Sequence, residues 1–99
     1  MPLMEISVVP IGTGSPSVSS YVAEVIKKLR ERGTKYHLGP MGTVVEGSLD
    51  ELLEIAKELH AVPFGMGAMR VVTTIKIDDR RDRPLSAEGK IRSVEEKLT

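Results

Sequence analysis

Hydrophobic and polar residues alternate near the start of the chain and again in its last third. Over residues 3–9, Met4, Ile6 and Val8 fall on one side of an extended segment. A period of two with one apolar side predicts a half-buried strand. Residues 70–78 alternate in the same way, and their β-branched composition predicts the strongest strand of the chain.

A helical period replaces this alternation over residues 18–32, where apolar side chains recur every three or four positions. Ser17 is expected to cap the helix, and Gly33 is expected to end it in a left-handed conformation. Ser48 and Glu51 have the spacing of a capping box, which predicts the start of a second helix.

Shorter elements complete the pattern. Residues 35–38 and 43–46 predict two strands joined as a hairpin by a turn rich in Gly and Pro. The second helix is expected to end between His60 and Pro63. Ser86 can cap a helix, and the apolar residues that follow it at helical spacing predict a short third helix.

The order of these elements is strand, helix, strand, strand, helix, strand. This order predicts an α+β fold, the ferredoxin-like βαββαβ two-layer sandwich, as a single domain over residues 1–99. Right-handed crossovers place two helices on one face of a four-stranded antiparallel sheet, with the short C-terminal helix in addition. The other sheet face then needs cover, so we expect a homo-oligomer, a dimer or tetramer formed through sheet faces or edges.

Composition narrows the possible functions. The 14 Lys and Arg residues balance 14 Asp and Glu residues, and there are only two Tyr, one Phe and no Trp. Balanced charge and few aromatics argue against a nucleic-acid partner. No apolar run in the sequence is long enough to predict a membrane span, so a cytoplasmic location is expected. The lack of Cys excludes thiolate chemistry, and the lack of Asn and Gln is typical of thermophilic proteins.

Two segments are candidate ligand sites. Residues 12–17 form a Gly/Ser/Pro loop before the first helix, where free backbone N–H groups favour a polar or anionic ligand. From spacing alone, a turn followed by a helix N-cap is the preferred interpretation of this loop. Glu46 ends the third strand on a surface expected to be covered. It is either a ligand group or the partner of Lys35 or Lys76.

The charged run that follows the last strand has a different interpretation. Asp79, Arg80, Arg81, Asp82 and Arg83 mix both signs of charge, which favours ion pairs or a subunit contact over an anion site. His37 and His60 lack a recognisable metal-ligand spacing. We therefore expect no metal site, no cofactor and no catalytic residue.

Three motifs together resemble a known family. They are Ile-Gly-Thr-Gly-Ser from residue 11, Tyr-His-Leu-Gly-Pro-Met-Gly-Thr-Val-Val-Glu-Gly from residue 36, and Arg-Val-Val-Thr-Thr-Ile-Lys-Ile-Asp-Asp-Arg-Arg-Asp from residue 70. They are similar to the MTH1187/YkoF-like thiamine-binding family, also catalogued as UPF0045. The resemblance implies a non-catalytic homo-oligomer that binds thiamine or its hydroxymethylpyrimidine moiety.

The resemblance also implies where the ligand binds. The residues carried over from the three motifs are Thr13, Ser17, Ser19, Met41, Thr43, Glu46, Thr73, Lys76 and Asp78. Carboxylates and hydroxyls of this kind complement the amino group and ring nitrogens of an aminopyrimidine.

Two other functions fit a chain of this size and plan. One is a regulatory or assembly module that binds another effector or a partner protein. The other is an enzyme similar to acylphosphatases, which is disfavoured because their site needs an Asn that this chain lacks.

Overall fold

The computed structural model describes residues 1–98 and confirms the predicted order of elements. These are β1 (Leu3–Pro10), α1 (Ser19–Arg32), β2 (Tyr36–Leu38), β3 (Thr43–Glu46), α2 (Leu49–Gly65), β4 (Val71–Asp78) and α3 (Ala87–Glu96). The strands form one antiparallel sheet in the order β2-β3-β1-β4. This is the ferredoxin-like arrangement that the alternation of elements predicts.

The hydrophobic core lies between the sheet and the helices α1 and α2. Met4, Ile6 and Val8 of β1 point into it, as their period of two predicts. Leu29 of α1 and Leu59 of α2 meet them there, and both are fully buried. The core is aliphatic throughout, which agrees with the low aromatic content of the chain.

The start of α1 differs from the prediction, because Ser17 does not cap the helix. The N-cap is Val18, and its side chain makes no capping hydrogen bond. Its carbonyl accepts hydrogen bonds from the N–H groups of Tyr21 and Val22. The hydroxyl of Ser17 instead lies 3.4 Å from that of Ser19. Gly33 ends the helix at φ 69°, as predicted.

Ser48 caps α2 as its sequence spacing predicts. Its hydroxyl accepts the backbone N–H of Glu51 at 3.2 Å and donates to the Glu51 carboxylate at 2.9 Å. The helix continues past the predicted end, through the buried Pro63 to Gly65. Proline removes one backbone donor but does not force a helix to stop at once.

The third helix packs loosely. Ser86 caps α3 by accepting the N–H of Gly89 at 3.0 Å, as predicted, and Ala87 is its only buried residue. Ile91 and Val94, the apolar stripe of this helix, are 59% and 60% exposed. The helix therefore leaves most of its apolar side uncovered.

The two neighbours of β1 pair with it over different lengths. β4 pairs with all eight residues, from Leu3 opposite Asp78 to Pro10 opposite Val71. β3 pairs only from Leu3 to Ile6. The segment 7–10 of β1 therefore has no strand partner on its β3 side, and this gap positions the candidate site.

None of the helices in the described part of the chain combines the length and the apolar character that a membrane crossing requires.

Candidate functional site

A cavity of about 350 Å³ opens beside the unpaired segment of β1. The start of α1 and the turn between β2 and β3 form its other walls. Its lining residues are Ile6, Ser7, Val8, Val9, Val18, Val22, Val25, Gly39, Pro40, Met41, Gly42 and Thr43. The volume is at the lower end of the range of about 300–1,000 Å³ that is usual for small-molecule sites.

The cavity exists because β3 is shorter than β1. Gly39 and Gly42 close the hairpin with a backbone hydrogen bond of 3.0 Å, so the chain turns away before it can pair further with β1. Hydrogen-bonding groups of an unpaired strand edge are open to a ligand. The side chains around the cavity are mainly aliphatic, and Ser7 and Thr43 supply hydroxyls.

Two of the predicted ligand residues line this cavity directly. Thr43 is buried at the last pair of the β1 and β3 ladder, whereas Met41 stands 88% exposed at the cavity mouth. Ser17 and Ser19 flank Val18, a lining residue, and border a neighbouring groove along α1. Thr13 lies in the same loop, where its hydroxyl donates to the carbonyl of Ser15 at 3.1 Å.

The other predicted residues lie away from the cavity. Glu46, Lys76 and Asp78 are on the open face, which we define as the sheet side opposite α1 and α2. Asp78 accepts a 2.5 Å hydrogen bond from Lys90 of α3. Thr73 is on the helix side of β4, with its hydroxyl 2.7 Å from Nδ1 of His60. The nine residues thus occupy at least three separate places.

A second depression, of about 420 Å³, lies between α1 and α2. Charged side chains dominate its rim, and Glu58 there pairs with Arg32 at 2.5 Å and with Lys28 at 4.0 Å. Because these charges already satisfy one another, this depression has the character of a solvated groove between helices.

Four ionisable side chains converge on the open face near the start of α3. The side chain of Glu46 is 94% buried there, and its Oε2 lies 3.4 Å from both Lys35 Nζ and His37 Nε2. Glu88 of α3 completes the group, with Oε1 3.2 Å from Lys35 Nζ and 3.6 Å from His37 Nε2. The alternative that Glu46 pairs with Lys35 is confirmed, while Lys76 pairs with Glu5 at 3.8 Å.

These contacts shift the ionisation of two exposed members of the group. Hydrogen bonds to Glu88 and then Glu46 raise the pKa of Lys35. The pKa of Glu88 is lowered by its own backbone N–H and then by Lys35. His37, Glu46 and Glu88 each offer one potential metal-ligand atom within 4.8 Å of the others, a grouping that the spacing of the histidines along the sequence does not reveal.

The charged run after β4 folds into local ion pairs, as its mixture of signs predicts. Arg80 makes a two-point contact with Asp82, at 2.5 Å and 2.8 Å, and Arg81 contacts Asp79 at 2.9 Å. The hydrogen bond from Arg80 lowers the pKa of Asp82, and the same contact raises the pKa of Arg80. Both contacts span two residues, so they stabilise the turn itself.

Sequence patterns did not indicate Ser7 and Val22 as site residues. Ser7 appeared only as the polar side of a strand, and Val22 only as part of a helical stripe. They reach the cavity because of the unequal pairing of β1, which no local motif encodes.

Comparison with known proteins supports a family assignment. The model of the family described as "Thiamine-binding protein" matches residues 4–95. The UPF0045 protein YqgV of Bacillus subtilis is 45% identical over 102 residues, covering 99% of this chain and 98% of the relative. A UPF0045 protein of Methanothermobacter thermautotrophicus is 44% identical over 95 residues, covering 95% of this chain and 96% of the relative.

Solved structures show the same fold. The protein MJ1052 of Methanocaldococcus jannaschii superimposes with a TM-score of 0.87 at 37% identity, covering 96% of each chain. A candidate thiamine biosynthesis or salvage protein of Thermotoga maritima, TM0486, superimposes with a TM-score of 0.75 at 30% identity. That match covers 94% of this chain and 97% of the other.

Proposed function

This chain belongs to the thiamine-binding protein family, and we propose that it binds thiamine or the hydroxymethylpyrimidine portion of thiamine. We further propose that it binds this ligand without catalysing a reaction. The observation that carries the proposal is the cavity beside the unpaired segment of β1, together with the family match over residues 4–95.

The chemistry of the cavity suits a small heteroaromatic ring. Val18 and Val22 offer apolar surface for a ring and its methyl group, and Thr43 offers a hydroxyl nearby. The free edge of β1 adds backbone donors and acceptors, which can pair with an amino group and a ring nitrogen. Met41 stands at the mouth, and its flexible thioether can pack on an aromatic face.

The predicted ligand residues then fall into two groups in our proposal. Met41 and Thr43 contact the ligand. Ser17, in the loop before α1, and Ser19, the first residue of α1, border the neighbouring groove, and Thr13 lies in the same loop as Ser17. Ligand roles for Glu46, Thr73, Lys76 and Asp78 stay predictions. Their positions favour contacts with other parts of the chain.

We also propose that the open face is an interface between copies of this chain. Val72 of β4 and Val9 of β1 are paired neighbours there, and both are exposed. The uncovered stripe of α3, with Ile91 and Val94, adds to this apolar surface. A chain of 99 residues gains stability when such surface is buried by association. The same surface favours the alternative function of an assembly module.

Isothermal titration calorimetry tests the proposal. Hydroxymethylpyrimidine and thiamine are each titrated into the protein, with cytosine as a pyrimidine that lacks the methyl and hydroxymethyl groups. We expect saturable heat for at least one of the first two ligands, much weaker binding of cytosine, and recovery of the ligand unchanged. Absence of heat with both ligands at millimolar concentration contradicts the binding proposal, and chemical conversion of the ligand contradicts the non-catalytic part.

A further inference from the structure

The charged group near the start of α3 holds three potential metal ligands from three different elements. His37 comes from β2, Glu46 from β3 and Glu88 from α3. The Nε2 atom of His37 faces both carboxylates, at 3.4 Å from Glu46 and 3.6 Å from Glu88. This group is separate from the proposed ligand cavity, to which none of these residues contributes.

The two separations from His37 are close to those in a tetrahedral metal site, and all three ligand atoms lie within 4.8 Å of one another. Zinc binds imidazole nitrogen and carboxylate oxygen at about 2.0–2.1 Å, so two ligand atoms of a tetrahedral site lie about 3.3–3.4 Å apart. The His37 separations of 3.4 Å and 3.6 Å are close to that value. They are long for charge-assisted hydrogen bonds, which usually measure about 2.7–2.9 Å.

The burial of Glu46 gives the group a fixed ligand. Its side chain is 94% buried on a central strand, where the pairing of β3 with β1 and β2 holds its backbone. A buried carboxylate needs a positive partner. The cation present is the ammonium of Lys35, which lies 3.4 Å from Glu46 and 3.2 Å from Glu88 on a side chain that is 58% exposed.

We propose that His37, Glu46 and Glu88 form a binding site for a divalent transition cation of the zinc type, which replaces the ammonium of Lys35. The ammonium stays charged and swings into solvent on its flexible stem. The cation then joins α3 to the sheet at a point where Ala87 is the only buried residue of that helix. The three protein ligands leave one coordination position for water.

The types of ligand atom in this site favour some metals over others. One imidazole and two carboxylates suit zinc and its neighbours in the first transition row, whereas magnesium and calcium prefer oxygen ligands alone and larger coordination numbers. We therefore expect zinc to bind and magnesium to bind far more weakly.

Calorimetric titration of the untagged protein with zinc chloride, and separately with magnesium chloride, tests the site. His37→Ala and Glu88→Gln are each expected to weaken zinc binding by at least about 10–100-fold, the range found when residues that support the direct ligands are altered, because both variants remove a direct ligand. Lys35→Met is expected to strengthen it, because the competing ammonium is gone. Glu88 lies on the exposed helix, so Glu88→Gln keeps the test valid if His37→Ala fails to fold.

Matched controls are available in the same chain. His60→Ala removes the other histidine, which contacts Thr73 on the helix side of the sheet. Glu95→Gln removes a carboxylate two turns further along α3. Both variants should bind zinc as the parent does, and zinc should slow amide hydrogen exchange in the first turns of α3.

Three results would overturn the site. The first is absence of zinc binding in both the parent and Lys35→Met. The second is loss of binding in His60→Ala or Glu95→Gln equal to that in His37→Ala or Glu88→Gln. The third is weaker zinc binding after Lys35→Met. The proposal has zinc displace the ammonium of Lys35, so weaker binding without that ammonium would contradict it.

Discussion

Thr43 of β3 pairs with Ile6 of β1, and this is the last pair between the two strands. On its other side β1 continues to pair with β4 for four more residues, as far as Pro10. The difference creates an unpaired strand edge inside a two-layer fold and opens the cavity there. The proposed ligand site is therefore a consequence of sheet register.

Two adjacent leucines of α2 test where the core lies. Leu52 is fully buried and Leu53 is 50% exposed. Leu52→Ala is expected to lower the free energy of unfolding by about 2–5 kcal/mol, because it removes buried methyl groups and leaves a cavity. Leu53→Ala is expected to change it by about 0.5 kcal/mol or less. Urea unfolding of both variants measures this difference, and similar losses in the two would contradict the packing.

Helix capping provides a second pair of variants. Ser48→Ala removes the acceptor of the Glu51 N–H and is expected to destabilise the protein by about 1 kcal/mol, or about 4–8 °C in the melting temperature. Ser17→Ala should have a smaller effect, since Val18 is the N-cap of α1. Thermal melting of both variants checks the order of the two effects. A larger drop in melting temperature for Ser17→Ala than for Ser48→Ala would indicate that Ser17 caps α1 after all.

These two serines show what local sequence can and cannot predict. Ser48 is followed by a carboxylate at the third position, and both groups of this motif lie within one helical turn. Ser17 has no such partner. Its backbone N–H donates to the hydroxyl of Ser15, and its own hydroxyl lies 3.4 Å from that of Ser19. Element order, strand faces and the capped start of α2 were therefore predictable, whereas the start of α1 was not.

Groups that assemble across elements were harder to predict. Glu88 is more than 40 positions from Glu46 along the chain, so their proximity depends on where α3 lies on the sheet. The cavity likewise depends on how many residues β3 pairs with β1. Of the nine residues predicted as ligands from motifs, only Met41 and Thr43 line it.

The ionisation of Asp82 gives a prediction about pH. The hydrogen bond from Arg80 lowers the pKa of this carboxyl below its usual range. The contact therefore stabilises the turn at pH values above the ordinary pKa of Asp, and this stabilisation is lost as the pH falls through the lowered pKa. Arg80→Gln should return the Asp82 titration toward the ordinary range, while Arg83→Gln should leave it low. NMR titration of the side-chain carboxyl distinguishes them, and an equal effect of both variants would show that general charge, not this contact, is responsible.

Two exposed side chains test the proposed interface. Val72 on the open face and Leu53 on the helix layer have similar exposure, 47% and 50%. Val72→Lys should reduce the mass of the assembly, because it would place a charge in an apolar contact, and Leu53→Lys should not. Sedimentation velocity measures both. A monomeric parent protein, or an assembly that only Leu53→Lys disrupts, contradicts the assignment of the open face.

NMR titration of the labelled protein with hydroxymethylpyrimidine tests the location of the ligand most directly. The account predicts that the largest amide shifts fall on residues 7–9, on residues 18–22 and on Thr43, around the gap left by β3. Shifts concentrated at Glu46, Lys76 and Asp78, with none at residues 7–9, would place the ligand on the open face and contradict the account.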